Sequence, residues 1–446
     1  MSPANSERLN RLLRTIFFTL AVLLAVYAAM FANYLHGNEQ SLVRAKMIWA
    51  TLAAAFFFIF AGWKFSLKAK FKIFAVLLCI FLLEILLQIT AWLGVLPAVN
   101  TKLKAPYARV YWTAEGRGNG IRNRLGWYFS EFDLKAPHKI AFIGDSQVEA
   151  VEVPRTENQA ADLQKLLKEK SPDFAVLGLG NHGSCVAHSI DVLDYAWRHF
   201  QPQEAIVVVS MGSDVTETSP QLNYVPPGAY IYYDLDENGN LKLNPASAAA
   251  RSGFDRSLES SHESLLSTLP VILNSHCMIL QMADSLRDNF LMRRRATQLA
   301  QAGDAVNGFN PAAFAINPSP EAQRAMKILI AQLAECKKIC DSHGMKLRLV
   351  TIPAFPKDFY NTQHGTNWTM RIGDFDFFGP EREVAKWADT NKIPTVSMGE
   401  IIRQKNLNVD EIQSLYFSNG TGHLTPKGHA LCAQAEFDAF YKNIAP

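Results

Sequence analysis

Three apolar stretches within the first 101 residues constrain this chain more than any other feature. Thr15 to Asn38 and Met47 to Trp63 contain no Asp, Glu, Lys or Arg, and Ile73 to Thr101 contains one, Glu84. A helix crossing a bilayer core takes about 20 apolar residues, range about 17–25. All three stretches are therefore predicted to span a membrane, over about residues 15–38, 47–63 and 73–99; the second is only just long enough. Ala28, Ala29 and Ala32 resemble a signal-peptide cleavage region. The run before them exceeds the about 7–15 residues of a signal-peptide core, and two more apolar runs follow, so residues 1–100 are read as a retained membrane anchor.

Charge supports this division. Residues 1–72 hold nine Lys/Arg against two Asp/Glu, whereas the remainder holds 35 against 39. The basic balance of the whole chain thus comes from its N-terminal part, and no basic patch on a folded domain argues for nucleic acid as a partner. Arg8, Arg11 and Arg14 precede the first span, and Lys64, Lys68, Lys70 and Lys72 follow the second; the loop after the first span has only Arg44 and Lys46. Positive-inside bias places the tail and the second loop in the cytoplasm. Three spans then deliver everything after residue 101 to the outside of a cytoplasmic (inner) membrane, so a multi-pass protein with an extracytoplasmic, periplasmic C-terminal domain is expected.

Glu84 sits within the third span with Gln88 one turn later. An acid in a span marks a functional-site hypothesis by default, but a carboxyl bonded to a neighbouring helix is the more economical reading; a polytopic membrane protein docking on that face is the sharper one. The six cysteines, Cys79, Cys185, Cys277, Cys336, Cys340 and Cys432, lie in a compartment that permits disulfides. Their spacing requires none, and no zinc-type spacing appears, so isolated buried thiols are expected.

Beyond a connecting segment, 101–137, read as irregular, the pattern alternates. Ile140–Ile143, Phe174–Leu177, Ala205–Ser210, Leu347–Ile352 and Thr395–Met398 read as short buried strands. Thr156–Lys170, Ser184–Phe200, a run from Ser319-Pro320-Glu321 to His343-Gly344, Pro380–Asn391 and a final run from Thr425-Pro426 read as helices. This alternation predicts an α/β fold for residues 138–446: a doubly wound, mostly parallel sheet with helices on both faces. Ligands of such sheets bind beyond the carboxyl ends of the strands, where Gly144-Asp145-Ser146 follows the first strand.

An insertion at about 220–318 breaks the alternation. Within it, Asp234, Asp236, Asn238 and Gly239 fit the first half of a calcium loop, but position twelve, which needs a bidentate Glu, is Pro245. Two β-like runs around Glu237-Asn238-Gly239 predict a hairpin instead, and no metal is expected. The basic amphipathic run FLMRRRATQL, later in the insertion, is read as a solvated helix face in preference to a lipid contact.

A serine at a strand end becomes a nucleophile only with a base in reach. The candidate base is His423, in a glycine-bracketed loop before the final helix; His429, inside that helix, is expected to pack. Gly144-Asp145-Ser146 followed by Val153-Pro154, together with His423-Leu424-Thr425-Pro426, resembles the SGNH (GDSL-type) hydrolase superfamily over about residues 120–446, and in particular its membrane-anchored extracytoplasmic members that act in polysaccharide O-acetylation. The resemblance implies a flavodoxin-like doubly wound sheet and acyl-transfer chemistry without a cofactor. It implies Ser146 as nucleophile and His423 as base. It implies an oxyanion hole from the Ser146 amide, the Gly180 amide and the block-three side chain, with Gly144, Asp145 and Asp214 as motif neighbours.

The sequence departs from that pattern at three places. Block three has Ser213 where the family has an Asn, a loss worth about 10²–10³ in rate for one missing donor; Asn181 is a candidate stand-in. The family's acid, two or three residues before the His, is replaced by Gly420 and Thr421, and a triad without its acid loses about 10⁴. A backbone carbonyl, or Asp374 or Asp376 folding in from elsewhere, is the expected substitute. Ala150 and Glu152 stand where many members have glycines, which predicts a bulkier, charged wall beside Ser146. Two functions follow from the residues: a membrane-tethered serine esterase or O-acyltransferase acting on ester groups of an envelope polysaccharide or lipid, or a catalytically degenerate module that binds glycan or scaffolds a membrane complex.

Overall fold

The computed structural model describes residues 3–34, 41–93, 95, 98–99, 106–113, 115–223, 225, 227–259, 277–283, 286, 311–353, 371–372, 375–376, 378–417 and 422–443. Three long helices come first: α1 (Pro3–Tyr34), α2 (Ser41–Lys64) and α3 (Leu67–Trp92). Helices α1 and α2 pack together, with Phe17 edge-on to Phe58 at 5.7 Å. Lys70 on α3 donates to Asn10 on α1 at 2.8 Å. Among the described residues two helical stretches, Pro3–Ala29 and Leu67–Trp92, are long and apolar enough to cross a membrane, and Thr51–Lys64 is a shorter apolar one. Two of the three expected spans thus meet the length and composition of a crossing helix among the described residues.

The domain beyond the anchor is built on one five-stranded parallel sheet. Its strands are β4 (His138–Gly144), β5 (Phe174–Gly180), β6 (Glu204–Ser210), β9 (Lys346–Ile352) and β12 (Thr395–Ser397), in the spatial order β12-β9-β6-β4-β5. In chain order this is the doubly wound 2-1-3-4-5 arrangement. Its crevice opens where the first strand is flanked on opposite sides by the second and third, beyond their carboxyl ends. Every residue of β5 and β6 is buried, as are Ile140 to Gly144 of β4, because helices cover both faces and leave no solvated side to alternate with.

Those helices start where the sequence places caps. Asn158 caps α5 (Gln159–Lys170, following the short α4, Ser146–Glu149) through the Ala161 amide at 2.9 Å. Next come α6 (Val186–Phe200) and α7 (Asp214–Glu217), then the insertion with its hairpin, β7 (Tyr233–Leu235) and β8 (Leu241–Leu243), and α8 (Ala248–Glu259). The hairpin is the one expected around Asn238-Gly239: Asp236 accepts from the Asn238 and Asn240 amides, closing the turn with its own carboxylate. Ser319 caps α9 (Pro320–Ser342). A two-stranded pair, β10 (Arg371–Ile372) and β11 (Phe375–Asp376), precedes α10 (Gly379–Thr390). Short helices α11 (Met398–Gln404) and α12 (Val409–Gln413) follow, and Thr425 caps the final α13 (Pro426–Phe440). All six cysteines are free thiols, with Cys336 and Cys340 buried. FLMRRRATQL lies outside the described residues.

Part of the segment expected to be irregular forms strands instead. Among the described residues, β1 (Ala98–Val99), β2 (Arg109–Trp112) and β3 (Gly118–Ile121) make an antiparallel sheet. Its strands are too short and too rich in glycine to show a period-2 pattern. They hold because they dock: Val110 packs with Tyr128 and Val151 in a small core of their own. Tyr111 packs on Ala91, at the end of α3, and on Met278. Close by, Glu84 of α3 accepts the amides of Met278 (2.7 Å) and Ile279 (3.0 Å) and the Gln88 side chain (2.9 Å). The acid in the expected span is thus bonded within its own chain, to the first turn of a helical stretch of the insertion whose amides have no intrahelical partner.

Candidate active site

Gly144 ends β4 and Asp145 turns the chain into α4, accepting from the Gln147 amide at 2.9 Å. Ser146 is the first residue of that helix, so its amide belongs to the turn left without intrahelical acceptors. The turn fits only because its neighbours are small. A Cβ at Gly180, paired with Gly144 across the sheet, would overlap the Glu149 amide, and one at Gly144 would overlap Val148. Gly180 is therefore required sterically, whatever it donates.

His423 arrives from the far end of the chain, and its Nε2 lies 2.8 Å from Ser146 Oγ. Its other nitrogen, Nδ1, bonds to the carboxylate of Glu115. Serine, imidazole and acid form a continuous line. The acid comes from the β2–β3 connection, 308 residues before the base. Asp376, one of the acids expected to fold in, is instead paired with Arg382; Asp374 and the Gly420-Thr421 positions lie outside the described residues. The acid was missed because no motif spacing marks it. The one available signal was a single Glu in a glycine-rich stretch (residues 115–120) of the connecting segment.

The charged wall is found, with a sharper role. Glu152 Oε1 lies 3.3 Å from Nδ1 of His423, so two buried carboxylates face one imidazole. Ala150 adopts the left-handed conformation, φ 50°, that a glycine takes freely, and this turn aims Glu152 at the base. Burial alone would pull the His423 pKa down; the Glu152 charge and the Glu115 bond outweigh it and push it up to about 9. Burial pushes Glu152 up to about 7 against the pull of His423. The donor atoms of Glu115, Glu152 and His423 lie within 4.8 Å of one another, a spacing a metal ion also asks for; both ring nitrogens of His423 are already engaged, Nε2 by Ser146 and Nδ1 by Glu115.

Further contacts surround His423. Gln147, next to Ser146, donates to the Gly422 carbonyl and accepts from the Leu424 amide, both at 3.1 Å, and so clamps both sides of His423. Arg122 is fully buried, pairing with Glu149 at 2.6 Å, and Glu149 accepts the His182 amide at 2.7 Å. Removing one partner of such a buried pair costs about 3–5 kcal/mol. The His182 ring in turn stands between Trp112 (5.5 Å) and His423 (6.3 Å), so an aromatic row flanks the base.

Of the remaining expected residues, Asp214 is buried and accepts the Ser210 amide at 2.6 Å. Burial, then the neighbouring Asp145, pushes its carboxyl well above the usual range; burial also raises Asp145. The Ser213 amide donates to the Ser210 carbonyl at 3.1 Å, and its hydroxyl lies 3.5 Å from the same oxygen. These contacts close the turn after β6. His429 packs as expected, fully buried, with its pKa driven down to about 3 by burial.

Among the solved proteins similar to this chain are these two. One is described as TesA, 12% identical, covering 69% of this chain and 100% of that one, with a TM-score of 0.34. The other is an acetylxylan esterase, Axe2 from Geobacillus stearothermophilus. A mutant of it is 12% identical over 68% of this chain and 94% of that one, with a TM-score of 0.31. Likeness at this level carries no argument about chemistry. No family description and no curated protein matches the sequence.

Proposed function

We propose that this chain is a serine esterase or O-acyltransferase of the SGNH type. The observation that carries the reading is the Ser146–His423–Glu115 line: Oγ to Nε2 at 2.8 Å, with Nδ1 on a buried carboxylate. The arrangement supports a two-step transfer. His423 Nε2 takes the Ser146 proton as Oγ bonds to the ester carbonyl carbon. Glu115 holds Nδ1–H and balances the imidazolium that results. The tetrahedral intermediate collapses, the alkoxide leaves with the proton from Nε2, and the acyl group stays on Ser146. Water, or a hydroxyl of an acceptor, then attacks with His423 again as base, which gives hydrolysis or transfer. The Ser146 amide and the Gly180 amide are the proposed oxyanion donors; Ser213, expected as a third, has its amide and hydroxyl directed at the Ser210 carbonyl instead.

The weak points that favoured a degenerate module are reduced, because the missing acid is supplied by Glu115. Tethering to a membrane with the domain on the extracytoplasmic side is supported by the apolar helices, by the basic residues around them and by exposed apolar side chains along α3 such as Phe81, Leu82 and Leu86. With that placement, an ester of an envelope polysaccharide or lipid is the proposed substrate, and a polytopic membrane protein a proposed partner. The test is covalent labelling of the full chain in detergent by a serine-directed phosphonate. Wild type is expected to label and Ser146→Ala not to; equal labelling of the two would sink the proposal.

A further inference from the structure

We propose that Glu152 is a second positioning carboxylate for His423, which holds the charged imidazole jointly with Glu115 and sets the pH at which the site becomes competent. The inference rests on the proposed Ser146–His423 chemistry and deepens it.

The geometry is specific. Glu152 is 1% exposed, and its Oε1 is fully buried with no hydrogen-bond partner among the described residues. A bare carboxylate oxygen in such a place is costly unless a charge faces it. The cation facing it at salt-bridge distance is His423, at 3.3 Å. The Glu152 backbone is fixed as well: its carbonyl accepts the Arg117 amide at 3.0 Å. The two acids thus come from different elements: Glu115 from the β2–β3 connection and Glu152 from the segment after α4. Nδ1 carries one hydrogen and gives it to Glu115. Glu152 therefore acts through charge, and acts most strongly when His423 has taken the serine proton.

The other ionisable groups facing Glu152 are Glu115 and Glu149, which disfavour its charge, and Tyr128 from the segment before β4. The charges of Arg122 and Arg155 act on Tyr128 in turn, and Arg122 is committed to Glu149. Asp145 acts on His423 from the nucleophile's turn. An opposite charge within about 4–6 Å moves a pKa by about 1–3 units. A base with a raised pKa is charged and idle below it, so phosphonate labelling of the wild type should rise with pH through about 9.

The experiment compares the full-length wild type, Glu152→Gln, Glu152→Asp and Glu115→Gln by labelling rate against pH. In parallel, ¹³Cε1-histidine spectra, with the His423 signal assigned from its loss in His423→Gln, report the imidazole midpoint without any turnover. Glu152→Gln is expected to move both midpoints to lower pH by about 1–3 units, and Glu152→Asp to restore part of the shift. In the double variant, Glu115→Gln with Glu152→Gln, the rate is expected to fall further than the product of the single losses. A Glu152→Gln profile that keeps the wild-type midpoints, whatever its amplitude, overturns the inference. The spectra separate the two ideas: a shifted imidazole midpoint in a chain that never labels supports the carboxylate pair and removes the esterase.

Discussion

In the proposed chemistry Glu115 and Glu152 share control of the His423 proton, and their effects separate by substitution. Glu115→Gln keeps the shape but removes the charge-assisted bond to Nδ1. Triads stripped of their acid lose about 10⁴. With Glu152 still facing the imidazole, the single substitution is expected to lower kcat by about 10² and to approach the full loss only in the double variant, as read from ester turnover at saturating substrate. Gln147 acts at the same scale but through position. Its two 3.1 Å bonds hold the chain on either side of His423, so it governs where Nε2 sits and leaves the charge of the imidazole to the acids.

The small β1–β3 sheet is the element that makes the site. It joins the end of α3, through Tyr111 on Ala91, to the catalytic turn, through Val110 on Val151. Two glycines allow the approach. Gly116 has φ 62° and leaves no room for a side chain beside the Glu152 carbonyl; Gly118 lies against the Val151 carbonyl, where a Cβ would overlap backbone. Backbone cannot rotate aside as a side-chain end can. Gly118→Ala is therefore expected to lift β3 from the turn, at the about 1–3 kcal/mol typical of overpacking. Thermal unfolding should show a lower Tm, and phosphonate labelling should fall with it because Glu115 is displaced. Unchanged Tm and labelling would show that the sheet yields without cost.

At the scale of the whole molecule, chain topology brings together residues with no sequence relation. The five parallel strands place the ends of β4, β5 and β6 side by side, which gathers Ser146, Gly180 and Asp214. The final loop and the β2–β3 connection then close over that edge from opposite ends of the chain. The proposed orientation is checked here too. A reporter fused after Pro446 that works only outside the cytoplasm is expected to be active, and one that works only inside to be silent; the reverse result would invert the topology.

The sequence alone made legible the α/β alternation, the five parallel strands and the long helices flanking them to within a few residues, and the Ser146 and His423 that the fold brings together. Those features rest on local signals: apolar runs such as Ala205–Ser210, caps such as Ser319 and Thr425, and Gly144-Asp145-Ser146 and His423 in their motif contexts. The β1–β3 sheet escaped it, since strands of two to four residues carry no readable period. So did Glu115 and the second role of Glu152. A carboxylate 308 residues from its imidazole leaves no spacing to read; only the folded chain, with β3 wedged under the turn after Ser146, decides which acid reaches the base.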